Sequence, residues 1–144
     1  MLIMGVDPGP EETAFIVVES EPFKVTDRGI LDNQQFLYRV EKMWISKIAV
    51  EDVQCYGMSV GQSVFDTCKQ IGRIEDRLRH RNLFFYKRPT IKAHFCNSAR
   101  AKDANVNQVL RDRFGGKNKG QPLEGVKSHI WAALAVAVYH YDNK

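Results

Sequence analysis

Apolar positions along this chain fall into short runs and into helical stripes, and the two alternate. Leu2, Ile3, Met4 and Val6 form a first run, closed by Asp7 and then by Pro8-Gly9. A run of that length between turn-forming residues reads as a buried strand. Residues 14–19 (AFIVVE) and 24–31 read as two further strands joined through Glu21-Pro22. Three strands with short links predict an antiparallel meander. Asp32 is placed to cap a helix whose apolar stripe is Phe36, Leu37, Val40, Met43 and Trp44, a core face at helical spacing.

Residues 47–51 (KIAVE) are another short apolar strand ending in an acid. Because it follows a helix, it is expected to run parallel to the first strand, which brings Asp7 and Glu51 to one edge of a sheet. Residues 52–63 read as a loop. Val64, Cys68, Ile71, Ile74 and Leu78 mark a helix of about five turns, and residues 82–86 (NLFFY) the last strand. Thr90 is placed to cap a short helix carrying Lys92. Asp103 is placed to cap another that carries Val106, Val109, Leu110 and Phe114. Residues 115–122 (GGKNKGQP) read as a mobile basic loop, and a last helix starts near Ser128. Its alanines, Ala132, Ala133, Ala135 and Ala137, suit close packing against the sheet.

Composition narrows the class without naming a function. The chain has 144 residues, 44% of them hydrophobic and 26% charged, which are the values of one globular domain with a real core. Its net charge of +4 suits a polyanionic partner without demonstrating one. Cys55, Cys68 and Cys96 are odd in number and widely spaced, as in a reduced thiol set rather than a disulfide frame or zinc site. No apolar run approaches the ~20 residues of a membrane span, and the N-terminus lacks the basic region of a signal peptide. A soluble, cytoplasmic protein without membrane association is expected.

The chemistry lies in the acids. A carboxylate where a strand leaves its sheet is costly to desolvate unless something pairs with it. A hard divalent cation is one such partner for Asp7; the N–H groups of the following turn are the other.

Three motifs in order carry a resemblance: GVDPG at 5–9, AVEDV at 49–53 and HIWAALAVA at 129–137. With the element order β-β-β-α-β-α-β-α-α-α, they resemble the ribonuclease H-like fold and, within it, the RuvC family of Holliday-junction resolvases. The segment 88–115 resembles the family's connecting region, most of all in versions carried by bacterial viruses. The resemblance implies an α/β fold with a mixed five-stranded sheet flanked by helices. It implies a divalent-metal-dependent endonuclease for four-way junctions or other branched DNA, with two Mg²⁺ ions per site that Mn²⁺ can replace. It also implies a homodimer meeting on the helix at 64–79, and, for a phage-encoded chain, the bacterial host cytoplasm.

Residue by residue, the resemblance gives Asp7 and Glu51 as catalytic metal ligands, with His129, which opens the closing helix, as a third catalytic ligand or else a helix-start histidine packed beneath the loop. It places Lys92 where a lysine neutralises transition-state charge. The chain departs from the family at Ala132, three residues after His129, where a second acid commonly stands. Asp103 is the candidate substitute ligand, in a neighbourhood where the family carries a base. Phosphate contacts are expected from Lys87, Arg88, Arg100, Lys102, Lys117 and Lys119, each of which is otherwise a solvated surface charge. Tyr56 is a candidate to stack on an unpaired base or to sit in the core. Two rivals stand beside the nuclease: a branched-DNA-binding protein that lost catalysis with the missing acid, and a phosphotransferase of the sugar-kinase type, which needs two domains to enclose a nucleotide.

Overall fold

The computed structural model describes residues 1–55, 57 and 59–144. Five strands, β1 (Leu2–Pro8), β2 (Glu12–Ser20), β3 (Phe23–Asp32), β4 (Lys47–Asp52) and β5 (Leu83–Lys87), form one sheet in the order β3-β2-β1-β4-β5. The tight links make β1, β2 and β3 an antiparallel meander. The chain then crosses over through helix α1 (Asn33–Glu41) to β4, and through α2 (Gln62–Arg77) to β5, and both strands run parallel to β1. Helix-bearing crossovers return a chain in the same direction, as expected here.

The sheet is covered on both faces, which is why its strands read as apolar runs and not as clean alternation. Met4, Val6, Phe15, Val17, Ile48 and Val50 point to one face, where Phe36, Leu37, Val40, Ile74 and Leu78 of the α1–α2 layer meet them. Ile3, Ala14, Ile16, Val18 and Ala49 point to the other, beneath α5 (Ile130–Asp142) and beside α3 (Arg88–Cys96) and α4 (Asp103–Phe114). The alanine band of α5 allows a close approach. A Cβ built on Gly5 would lie 1.9 Å from the Ala133 carbonyl oxygen, so only glycine lets β1 and α5 meet here.

Four local expectations are corrected. Trp44 is no core residue: α1 ends at Glu41 and Trp44 is 94% exposed. Arg81 explains the early stop, because its guanidinium donates to the carbonyls of Val40, Glu41 and Met43 and satisfies the helix end. Thr90 is no cap: α3 starts from Lys87, and Pro89 supplies the fixed φ of the first turn. Asp103 is no cap either, since Lys102 holds that position and its N–H bonds the Asn105 side chain at 3.1 Å. The connection after α4 is pinned, with Leu123 and Val126 buried and the Leu123 N–H bonded to the Gly116 carbonyl at 2.8 Å. Asp32, in contrast, caps α1 as read, accepting from the N–H groups of Gln34 and Gln35.

Candidate active site

Register decides where the acids meet. β1 and β4 pair in parallel through Gly5–Ala49 and Val6–Val50, so the next residues, Asp7 and Glu51, leave the ladder side by side. Pairing of Asp7 with Ala14 and of Glu51 with Tyr86 extends this row across the sheet. Side chains alternate along a strand. Asp7 therefore shares the face of Ile3 and Gly5, and Glu51 that of Ala49, beneath the start of α5. Both carboxylates are sunk, each with only 11% of its side chain exposed.

The α5 start completes the group. Ser128 takes a left-handed conformation at φ 49°, and His129 follows as the helix N-cap. His129 Nδ1 stands 2.9 Å from Asp7 Oδ2. A neutral imidazole that donates Nδ1–H to Asp7 leaves the Nε2 lone pair facing outward. Its side chain is 74% exposed, so it is the accessible lip of a buried acid pair. Ala132 lies one turn further along the same helix face and lines the cleft with Glu51, Asp103 and His129.

Buried carboxyls in contact cannot both ionise freely. Glu51 is pushed up to about 8, first by burial, then by its hydrogen bond to Asp7 and that residue's charge, against the lowering pull of Arg88. Asp7 is also raised, with burial as the largest cause and the hydrogen bond to Glu51 opposing it. Near neutral pH the two acids therefore titrate as one unit that holds a single proton between them and keeps one negative charge to face Arg88.

Arg88 sits within this group. Its Nε donates to Glu51 Oε1 at 2.7 Å, and its Nη1 lies 3.6 Å from Asp103 Oδ2. Asp103 also faces Lys92, Nζ to Oδ1 at 3.5 Å. Freed from capping, Asp103 thus turns toward the site and meets two cations there. Two clefts, of about 510 and 260 Å³, open on either side, and Glu51, Arg88, Ser128 and His129 border both.

The structure thus gathers Asp7, Glu51, His129, Lys92, Asp103 and Arg88 in one place. Arg88, expected among the surface phosphate contacts, lies inside the site instead; its position follows from β5, where Asp52 pairs with Lys87 and leaves Arg88 beside Glu51. Lys87 itself is tied to the β4 end, 3.0 Å from both Asp52 Oδ2 and the Val53 carbonyl. Arg100, Lys102, Lys117 and Lys119 are exposed and border neither cleft. Tyr56 lies outside the described residues.

Among the described residues, no three His, Cys, Asp or Glu side chains gather closely enough to hold an ion as they stand. The donor set nonetheless fits a hard divalent cation. Two carboxyls in contact, both raised first by burial, offer oxygen donors at one point, and an imidazole and a third acid stand at their rim.

The strand order, with acids leaving β1 and β4 together under the last helix, defines a ribonuclease H-like fold. Among solved structures, RuvC of Thermus thermophilus matches with a TM-score of 0.73 at 18% identity, over 98% of this chain and 93% of that one. The same protein in complex with a Holliday junction substrate matches at 0.75 and 18% over the same shares. The Fowlpox virus resolvase with its substrate Holliday junction DNA gives 0.61 at 16% identity, covering 99% of this chain and 98% of the other. At these identities the likeness is one of fold. No protein-family model matches the chain, and no curated protein sequence does.

Proposed function

We propose that this chain is a divalent-metal-dependent endonuclease that hydrolyses phosphodiester bonds in four-way junctions or other branched DNA. The observation that carries this reading is the convergence of Asp7 and Glu51 under His129, at the strand edge where a polyanion can reach them. The junction-bound resolvases that share the fold support the substrate class.

Asp7 and Glu51 would hold Mg²⁺, or Mn²⁺ in its place, with His129 and Asp103 as the further donors for a second ion. When bound, such ions supply Lewis-acid stabilisation of the charge that builds on the attacking and leaving oxygens. The chain's own residues do the rest. The dyad places its carboxylates on a rigid sheet edge, so little reorganisation is needed. Lys92, with only 19% of its side chain exposed, sets a fixed positive charge at the wall of the smaller cleft, where it can offset charge on a non-bridging oxygen. Arg100, Lys102, Lys117 and Lys119 offer exposed cations for phosphates further along the DNA.

Two cuts related by symmetry suit two identical sites, so the working form is a two-fold dimer, with the exposed face of α2 as its contact. The test is a panel of labelled four-way junction, flap and plain duplex, incubated with Mg²⁺ or Mn²⁺. Preferential cutting of the branched substrates is expected. Junction binding without cutting in either metal favours the second reading, a branched-DNA-binding protein, which the alanine at 132 supports. Restoring the family's acid with Ala132→Asp then reports whether that one side chain is what is missing.

A further inference from the structure

We infer that Arg88 is a built-in counter-ion of the cation site, which a divalent ion must displace before the dyad can hold it. This rests on the metal-dependent reading above. Among the described residues Arg88 is the one base ion-paired with Glu51, through Nε at 2.7 Å, and its other arm points to Asp103 at 3.6 Å. The guanidinium therefore spans the gap between Glu51 of the acid pair and Asp103 of the further donors. A hard ion takes its oxygen ligands at about 2.0–2.6 Å. A guanidinium on the same carboxylate oxygen would then stand within a few ångströms of the metal, two like charges in a poorly hydrated place. Sharing that one oxygen therefore costs electrostatic energy, which a swing of Arg88 away from it relieves.

The backbone does not have to move for the exchange. Arg88 follows directly on β5, whose ladder to β4 ends at Asp52–Lys87, and Pro89 stiffens the turn behind it. Only the side chain has to swing, and with 41% of it already exposed it borders both clefts. Outside the site its planar fork is the right shape for a phosphate oxygen pair. Metal loading thus frees a DNA-binding group, and metal and DNA strengthen each other's binding.

Isothermal titration of Mn²⁺ into the DNA-free wild-type protein and into Arg88→Met tests this. Methionine keeps an apolar stem and removes the competing charge, so Mn²⁺ is expected to bind the variant about tenfold more tightly. Equal or weaker affinity in the variant overturns the inference while leaving the metal reading intact. No Mn²⁺ bound by either protein overturns the metal reading itself, and the inference with it. A second measurement needs no variant. The Arg88 Nε–Hε NMR resonance of wild-type protein is expected to move toward the position of a free arginine as Mg²⁺ is added. A resonance that stays in place while the Asp7 and Glu51 amides shift would overturn the displacement.

Discussion

Helices α5 and α2 cover opposite faces of one sheet and meet it in opposite ways. Nine residues of α5 are buried, from Ile130 and Trp131 to His140, against Gln70 and Ile74 alone in the longer α2. α5 is seated by apolar packing, with the Ala133 backbone against bare Gly5, and that seating fixes where His129 stands over Asp7. α2 is joined instead by a buried polar link. Gln70 donates to Thr13 Oγ1 at 3.1 Å, Thr13 to Asn33 Oδ1 at 2.7 Å, and Asn33 to the Gly9 carbonyl at 3.1 Å, in the turn just after Asp7. Its outer side leaves Phe65 and Cys68 in solvent. The difference is one of role: α5 sets the geometry of the site, while α2 leaves an outer side in solvent, the face proposed for the dimer contact.

The largest effect should come from the α5 seam. Gly5→Ala drives a methyl into the Ala133 carbonyl and should cost about 3 kcal/mol, roughly 10 °C in melting temperature. Gly72→Ala on α2 meets nothing within 4 Å and should instead stabilise by up to about 1 kcal/mol. Equal responses of the two glycines in thermal melts would erase the contrast drawn above.

Phe65→Glu addresses the other side of the comparison. A charge on the open face of α2 should shift a dimer to monomer in sedimentation, with the fold intact by circular dichroism. An unchanged sedimentation coefficient would remove α2 as the contact.

A pH dependence separates the site from its scaffold. In the folded protein Glu51 keeps its proton up to about 8, against 4.5 for the ordinary side chain. Between those values the folded state binds more protons than the unfolded one, so metal-free stability falls as pH rises through that window. Glu51→Gln should match wild type near pH 5 and melt higher than it at pH 9 in EDTA. Wild-type stability rising from pH 5 to 9 by the same margin as in the variant would contradict the shared proton.

The strands, the parallel return of β4 and the meeting of Asp7 with Glu51 were legible because they depend on local apolar runs and on crossover geometry. Trp44 was misread because its spacing fits a helix that Arg81, nearly forty residues away in sequence, brings to an end. Of the two readings of Asp103, cap and site acid, the cap fails because Asn105 satisfies the same helix start from inside, which leaves the Asp103 carboxylate free to face Arg88 and Lys92. Arg88 looked like a surface charge because its ion pair with Glu51 spans a strand pairing that no local pattern announces. The Gln70–Thr13–Asn33 link was invisible for the same reason, since it joins three elements through side chains of ordinary type.

Asp7 and Glu51 are proposed to form together a cation-dependent site for cutting DNA. Cleavage of an end-labelled four-way junction by wild-type protein and by Glu51→Gln, at protein concentrations where both bind it fully, tests that claim most directly. With Mg²⁺ or Mn²⁺ the wild-type protein should nick the junction, and the variant should bind it but cut at least about a hundredfold more slowly. A variant that cuts at the wild-type rate, or a wild-type protein that leaves the junction whole in both metals, would contradict the account.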